Sequence, residues 1–189
     1  MNSLEKIDIV NIYKPIQQSL NIVDENLINL PVNQHPTLAK PLYHISKSSG
    51  KRMRAAITLL AAQTQKPTTK ESITMATAIE LFHLASLIHD DAIDKSAVRR
   101  GEETISNLYG TDMAILIGDL VFANSAYTVC DTGNIHAIQR FSETTMEVST
   151  GQILETSQKF NTQQNFEGYL ERIYKKTASV FETSAETGA

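Results

Sequence analysis

Apolar residues recur at intervals of three and four along most of the chain. This spacing is typical of amphipathic α-helices, in which such residues fall on one face. The pattern predicts helical segments over residues 4–13 and 22–30, followed by a break at residues 31–36. It then predicts a helix that starts near residues 48–50 and ends before Pro67.

The most apolar predicted helix runs from about residue 69 to residue 94. Its central residues 78–88 are apolar nearly all round, as in a helix that is buried inside a larger bundle. After a loop, three further helices are predicted over residues 111–130, 135–158 and 166–186. One apolar stripe on the last of them contains Phe166, Leu170, Ile173, Thr177 and Phe181. The whole pattern predicts an all-α, bundle-like single domain over residues 1–189.

The composition agrees with a folded helical protein and narrows the classes of function. The 189 residues are 41% hydrophobic and 20% charged, close to ordinary globular domains, and suffice for a sizeable core. The chain has only 8 Gly and 5 Pro and no regular alternation of apolar and polar residues, which excludes an all-β fold. The net charge of −4 gives no general electrostatic reason to bind nucleic acid.

The cellular location can also be predicted from the sequence. The single cysteine, Cys130, excludes an internal disulfide and a multi-thiolate metal site. The first residues include early acidic side chains and no apolar signal-peptide core. The strongest apolar stretch, residues 113–123, is interrupted by Gly118 and Asp119 and is too short to cross a bilayer. These features predict a cytoplasmic protein with no transmembrane segment.

The clearest chemical motif is His89-Asp90-Asp91-Ala-Ile-Asp94. On a helix, His83, Asp90 and Asp94 fall within an arc of roughly 40°, and Asp91 is turned about 100° from Asp90. Two carboxylates four residues apart repel each other unless a cation lies between them, and their oxygens suit Mg²⁺. The alternative is a solvated acidic helix end, although the apolar residues just before it argue against a free surface.

A basic motif, Gly50-Lys-Arg-Met-Arg54, stands at the start of an apolar helix. Cations are unfavourable at a helix N-terminus, whereas a bound diphosphate would make them favourable. The alternative is a tolerated basic patch on the surface. Arg99-Arg100-Gly101 follows the acidic motif closely; it is either an ordinary turn, with Gly101 at a positive φ, or part of a magnesium–phosphate site.

Four weaker features have no clear functional interpretation from physical chemistry alone. We interpret Gly118-Asp119 as close helix packing with one polar contact. Gly151-Gln152 and Lys176-Thr177 indicate no particular function by themselves, and Cys130 is interpreted as structural.

These motifs, in this order, closely resemble the trans-polyprenyl diphosphate synthase (polyprenyl synthetase) family. The resemblance covers nearly the whole chain from about residue 40. The matching segments are residues 50–54, 80–83, 85–94, 99–101 and 117–120, Gly151-Gln152, and the context of Lys176-Thr177. The ordered set is highly specific, although no single piece would be. It implies an isoprenoid-synthase-like helical bundle around a central apolar cavity, and a medium- or long-chain enzyme.

The resemblance also implies a role for each matching residue. Lys51, Arg54, His83 and Arg100, with Arg52 close by, look like a site for isopentenyl diphosphate. Asp90 and Asp94, with Asp91 beside them, look like the first aspartate-rich motif, which holds Mg²⁺ against an allylic diphosphate. Arg99, Lys176 and Thr177 look like direct ligands of that second diphosphate.

The reaction implied by the resemblance is the condensation of isopentenyl diphosphate with an allylic prenyl diphosphate, for quinone or other isoprenoid biosynthesis. In the family, bulky aromatic residues four or five positions before the first aspartate tend to block chain growth. Here those positions are Ser86 and Ala85, which are small and favour a longer product. Phe82, about one turn deeper, is a candidate floor.

The resemblance leaves the activity and assembly of this chain open. The family has a second aspartate-rich motif downstream of the Lys-Thr pair, which this sequence does not contain, so we expect a truncated chain. It implies a homodimer or a heteromer with a small subunit. Two alternatives to an active enzyme are a non-catalytic diphosphate-binding subunit and a helical phosphohydrolase of the His-Asp type, suggested by His89 with His44 and His83.

Overall fold

The structure is a computed structural model that describes residues 9–30, 36–47, 50–65 and 67–189. The start of the first predicted helix, most of the break at residues 31–36 and Ser48-Ser49 lie outside the described residues. The helices in the N-terminal half are α1 (Ile9–Tyr13), α2 (Gln17–Ile28), α3 (Pro36–Lys47), α4 (Met53–Gln65) and α5 (Lys70–Ile93). Those after it are α6 (Ile105–Tyr109), α7 (Thr111–Cys130), α8 (Ile135–Ser157), α9 (Phe166–Ile173) and α10 (Ser179–Glu186).

Helix α5 is the central helix of the bundle and confirms the prediction for residues 69–94. It packs most extensively against α7 and also against α2 and α4. Thr69 caps its N-terminus in a reciprocal arrangement with Ser72, and the backbone N–H of Asp94 closes its C-terminus on the carbonyl of Asp90. Because both ends are fixed, the carboxylate motif has a defined position at the C-terminal end of a buried helix.

Two groups of buried apolar side chains form the core on either side of α5. The larger group joins α5 to α2, α3, α4 and α7. The second group lies between α5, α7, α8 and α10 and includes Met75, Phe82, Val129, Phe141 and Val180. The all-α bundle predicted from the sequence is therefore confirmed. The candidate chemical residues lie near the end of both groups at which α5 ends.

Several elements were not predicted, among them helix α3, helix α6 and a short hairpin. Helix α3 begins at Pro36, a residue that suits the first helical position, and contains Pro41 within it. A short hairpin pairs Val98 with Glu103 and Arg99 with Glu102 inside the predicted loop. Its two turn residues, Arg100 and Gly101, both have positive φ, at 52° and 86°, as a tight primed turn requires. The positive φ predicted for Gly101 is confirmed.

The single helix predicted over residues 166–186 is wrong in one respect. A π-helical segment, Tyr174–Ala178, separates α9 from α10. A π turn contains one more residue than an α turn, so it rotates the following helix relative to the preceding one. Phe166, Leu170 and Ile173 of the predicted apolar stripe, which precede the π turn, are exposed, whereas Val180 and Thr183 after it are buried.

Helices α5 and α7 are long and apolar enough to cross a membrane by length and composition alone, which the sequence reading did not anticipate. About 61% of the most apolar part of α5 is buried inside the bundle, as in the core helix of many folded domains. The corresponding segment of α7 is 33% buried.

Candidate active site

A cavity of about 420 Å³ opens where the start of α4 meets the middle of α5 and the hairpin. Its walls contain four cationic side chains, those of Lys51, Arg52, Arg54 and Arg100. Glu80 and His83 of α5 complete the polar lining. We call this space the cationic cavity. All five residues that the resemblance assigned to isopentenyl diphosphate are therefore brought together.

Local backbone geometry holds two of these arginines over the cationic cavity. Arg52 and Arg100 both have positive φ, at 49° and 52°, a conformation that is uncommon for residues other than glycine. A side chain at Gly50 would place its Cβ 3.2 Å from a guanidinium nitrogen of Arg100. The glycine of the basic motif therefore leaves room for Arg100.

Arg54 is the cation whose surroundings most strongly indicate a ligand. Its guanidinium lies 4.5 Å from the centre of the Phe181 ring. Its Nε is buried and has no acceptor among the described residues. Burial lowers the pKa of Arg54, and Arg100 adds to this effect, while Glu80 opposes it. A buried, unpaired donor surrounded by positive charge is costly and would be stabilised by an anion.

Glu80 provides a buried negative charge within the cationic cavity. It is 5% exposed and accepts a hydrogen bond from the backbone N–H of Ala55 at 3.1 Å. Its carboxylate lies 4.0 Å from Arg52, whose guanidinium also donates to Asp24 at 2.7 Å. The single negative charge of Glu80, whose carboxylate is hydrogen-bonded to α4, therefore balances only part of the positive charge in the cationic cavity.

His83 is held in its neutral form in the cationic cavity. Burial, together with four nearby arginines led by Arg54 and Arg100, lowers its pKa to about 3. A neutral imidazole can donate one hydrogen bond to an anion but brings no charge.

This shift predicts that His83 makes the stability of the protein depend on pH. Between about pH 6.5 and 3 the unfolded chain binds a proton at His83 and the folded chain does not, so the free energy of unfolding falls as the pH falls. The decrease is at most about 1.4 kcal/mol per pH unit. Denaturant titrations at several pH values should show a smaller decrease in His83→Gln. Equal slopes in both proteins would contradict the buried, neutral histidine.

A second cavity, of about 400 Å³, lies next to the first between α5, α8 and the π-helical segment. Asp90, Lys176 and Thr177 line it together with Gln152, whose side-chain oxygen is buried without a donor from the described residues. Arg54, His83 and Leu87 line both cavities. We call the second space the carboxylate cavity. Two ligands, one in each cavity, could therefore meet at this shared wall.

The three aspartates of the acidic motif have different environments. Asp90 is half-buried and lines the carboxylate cavity, whereas Asp94 is exposed at the end of α5. Asp91 points elsewhere: it is 7% exposed, and its two oxygens both accept from Nε of Arg99 at 2.9 Å. This pairing raises the pKa of Arg99.

The residues fit a magnesium ion only in part. No group of three His, Cys, Asp or Glu side chains converges as a metal site within the described ranges. Asp90 and Asp94 lie one turn apart with Asp91 turned away, as predicted. Burial raises the pKa of Asp90, and the carboxylate of Asp94 adds to the rise, which Lys176 opposes. Two nearby carboxylates that would be stabilised by a cation suit Mg²⁺ whose shell is completed by phosphate oxygens.

Lys176 reaches the carboxylate cavity from the π-helical segment. Its ammonium is paired with Glu155 of α8. A Cβ at Gly151 would lie 2.6 Å from the backbone nitrogen of Lys176 and 2.9 Å from its Cα. Gly151 is therefore the residue that lets α8 approach this segment closely. The sequence analysis found Gly151-Gln152 without recognising this role, because a contact across 25 positions has no periodic signal.

The histidines have separate environments. A Cβ at Gly118 would lie 2.2 Å from Nε2 of His89, and that nitrogen lies 3.3 Å from Asp119. The predicted close packing with one polar contact is confirmed. His44 contacts the backbone oxygen of Glu103 at 2.7 Å, whereas His83 lines the cationic cavity. The histidines therefore do not form the metal-binding cluster of a phosphohydrolase among the described residues.

The three predicted chain-length residues lie at different depths. Ser86 and Phe82 line the carboxylate cavity below Asp90. Ala85 is 1% exposed and belongs to the larger core group on the other side of α5. Its role in chain length remains a prediction.

The all-helical bundle that contains the two joined cavities is similar to solved structures of polyprenyl diphosphate synthases. The structure resembles the crystal structure of heptaprenyl diphosphate synthase from Staphylococcus aureus, with a TM-score of 0.84 and 31% identity, over 97% of this chain and 56% of that chain. A decaprenyl diphosphate synthase from Rhodobacter capsulatus gives a TM-score of 0.83 at 27% identity, over 94% and 54% of the two chains.

The sequence comparisons define the family. Residues 35–189 match the model of the polyprenyl synthetase family. A prenyl transferase from Synechocystis sp. is 33% identical over 95% of this chain and 57% of its own length. The heptaprenyl diphosphate synthase component 2 of Geobacillus stearothermophilus is 34% identical over 94% and 55%. The chain belongs to the polyprenyl synthetase family, and the phosphohydrolase hypothesis is wrong. It spans about half the length of the curated relatives that it matches.

Proposed function

We propose that the protein is a trans-prenyltransferase that condenses isopentenyl diphosphate with an allylic prenyl diphosphate to give a medium- or long-chain product. The observation that carries the proposal is the buried, unpaired Nε of Arg54 in a wall shared by two cavities. One cavity offers an excess of positive charge. The other offers Asp90, Lys176 and Thr177. Each arrangement suits a diphosphate, bound directly by cations or through a divalent metal.

In this proposal the isopentenyl diphosphate occupies the cationic cavity. Lys51, Arg54 and Arg100 neutralise its charge, with Arg52 close by, and neutral His83 donates a hydrogen bond. The allylic diphosphate occupies the carboxylate cavity, where Lys176 and the hydroxyl of Thr177 bind it. When bound by Asp90 and Asp94, Mg²⁺ would supply positive charge to the departing diphosphate.

The proposed reaction joins two carbon atoms. The allylic C–O bond breaks and its electron pair leaves with the diphosphate, whose charge Lys176 stabilises. The double bond of isopentenyl diphosphate forms the new C–C bond with the allylic carbon, and transfer of a proton from the resulting cation to the released diphosphate restores a double bond. The apolar residues below Asp90 exclude water from the cationic carbon atom.

We also propose roles for two residues that differ from those implied by the resemblance. Arg99 was assigned to the allylic diphosphate and Asp91 to the metal. Because Arg99 donates to both oxygens of Asp91, we propose that the two form a unit that positions the hairpin, and with it Arg100, against the cationic cavity.

Incorporation of labelled isopentenyl diphosphate into extractable product tests this proposal. With farnesyl diphosphate and Mg²⁺ we expect products with several added units, and we expect Asp90→Ala to reduce incorporation by at least about 100-fold. Asp112→Ala, which removes an exposed carboxylate at the start of α7, serves as the matched control. Incorporation that persists in Asp90→Ala would contradict the assigned role.

A second candidate function is that of a diphosphate-binding subunit of a heteromeric synthase. The relative named component 2 favours this candidate. It is the correct one if the folded protein binds inorganic diphosphate but incorporates nothing on its own. A homodimer, a heteromer with a small subunit and a cytoplasmic location remain predictions.

A further inference from the structure

The hairpin that carries Arg100 is short and largely exposed. Each of its strands has only two residues, and three of these four residues are exposed. A small cavity of about 60 Å³ lies where the hairpin faces α3 and α5, so the packing there is incomplete. A two-stranded hairpin is marginally stable by itself in water. Polar contacts with the rest of the bundle must therefore contribute to its position.

Each strand of the hairpin has such a contact, and the two contacts lead to different helices. Arg99, in the first strand, donates from its Nε to both carboxylate oxygens of Asp91 on α5, at 2.9 Å. In the second strand, the backbone oxygen of Glu103 lies 2.7 Å from Nε2 of His44 on α3. Because a carbonyl oxygen only accepts hydrogen bonds, the imidazole is the donor. The hairpin is thus bonded to α5 on one side and to α3 on the other.

The strand pairing explains why the carbonyl of Glu103 needs a partner outside the hairpin. The N–H of Thr104 donates to the carbonyl of Ala97 at 3.0 Å. In an antiparallel pair, residues that exchange hydrogen bonds alternate with residues that do not. Val98 and Glu103 form the next pair along, so the carbonyl of Glu103 points away from the first strand. His44 satisfies an acceptor that the hairpin leaves unpaired.

Helix α3 gives His44 a fixed position beside the cationic cavity. Its neighbours Leu42 and Ile45 are 3% and 5% exposed and belong to the larger core group. Ile45 also lines the cationic cavity. The imidazole therefore lies on a helix that is packed into the same wall to which the hairpin contributes Arg100.

We propose that His44 is a positioning residue for isopentenyl diphosphate, which fixes Arg100 over the cationic cavity by holding the second strand of the hairpin. This inference rests on the proposed function. With the contact between Arg99 and Asp91 alone, the hairpin can pivot about its first strand and carry Arg100 away from Gly50. The apparent affinity for the ligand is reduced by the fraction of molecules in which Arg100 is in place. Loss of the imidazole therefore weakens binding although His44 does not touch the ligand.

The test is the calorimetric titration of isopentenyl diphosphate into the wild-type protein and three variants of His44. In His44→Leu and His44→Asn we expect the affinity to fall by about tenfold, because leucine has no donor and asparagine is too short. His44→Gln should bind within about twofold of the wild type, because its amide nitrogen reaches about as far as Nε2. The comparison of Asn with Gln holds even if leucine destabilises α3.

A double-mutant cycle shows whether His44 acts through Arg100. In an Arg100→Met background, His44→Leu should cost no more than about twofold in affinity, since there is no guanidinium left to position. A tenfold loss in both backgrounds would overturn the proposal. The affinity for farnesyl thiodiphosphate should stay the same in all variants of His44. His136→Leu, which removes an exposed histidine at the start of α8, is the matched control and should bind both ligands like the wild type.

The same titrations separate this proposal from the proposed function. If the folded wild-type protein does not bind isopentenyl diphosphate, the proposed function fails. If the wild type binds it, and His44→Leu and His44→Asn bind it equally well, only the role of His44 is disproved.

Discussion

Replacement of Arg54 by methionine should lower the affinity for isopentenyl diphosphate by about 100-fold or more, without a loss of stability. Each hydrogen bond from a guanidinium to a phosphate is worth roughly 1.5–3 kcal/mol, and Arg54 is placed to donate at least two. In the unliganded protein the Nε of the same guanidinium is buried and has no acceptor among the described residues. Removing it relieves the folded state of an incompletely paired charge, so Arg54→Met should be as stable as the wild type or more stable.

Calorimetric titration and denaturant unfolding of the same samples measure both effects. Arg172→Met is the matched control, because Arg172 lies on α9 and its guanidinium is bonded to Gln164 away from both cavities. That variant should bind like the wild type. A variant of Arg54 that loses several kcal/mol of stability and keeps its affinity would show that Arg54 serves packing against Phe181 and not ligand binding.

Replacement of Gly151 by alanine should weaken ligand binding in the carboxylate cavity and leave ligand binding in the cationic cavity unchanged. The new Cβ would meet the backbone of Lys176 at 2.6 Å, and backbone cannot yield as a side-chain end can. The π-helical segment must therefore move away from α8. We expect the free energy of unfolding to fall by about 1–3 kcal/mol and the affinity for an allylic diphosphate analogue to fall on the order of 100-fold.

Comparing the affinities for two ligands shows whether the effect of Gly151→Ala is confined to the carboxylate cavity. Isopentenyl diphosphate should bind Gly151→Ala nearly as well as the wild type, because Lys51 and Arg100 are held by other elements. Gly168→Ala on exposed α9 is the matched control: its Cβ would meet only the side-chain end of Asn165, at 3.0 Å. An equal loss of affinity for both ligands in Gly151→Ala would mean that the whole bundle had loosened.

Sequence reasoning identified the residues whose chemistry is local. The basic motif at Gly50–Arg54 and the carboxylates at Asp90–Asp94 could be interpreted because charge at a helix end and carboxylates one turn apart have consequences within a few residues. The limits of α5 were predicted to within one residue because its caps, Thr69 and Asp94, flank a long apolar run.

The features that were missed depend on contacts between distant segments. Nothing in the periodicity of α5 and α8 indicates that Phe82 contacts Phe141. Nor does it indicate that both carboxylate oxygens of Asp91 accept a hydrogen bond from Arg99. The π turn was missed for a related reason: it interrupts the helical register at Tyr174–Ala178 without glycine or proline to mark the change. The unpaired Nε of Arg54 is likewise visible only once burial is known.

The two partners of Arg52 have a consequence for the N-terminal part of the bundle. Arg52 is a cation of the ligand wall, yet its closest carboxylate is that of Asp24 on α2, which lies outside the lining of the cationic cavity. An anion that draws Arg52 towards itself must compete with Asp24. By thermodynamic reciprocity, the contact between Arg52 and Asp24 weakens anion binding by the same factor by which a bound anion weakens that contact. Helix α2 is thus energetically linked to a ligand that its aspartate does not touch.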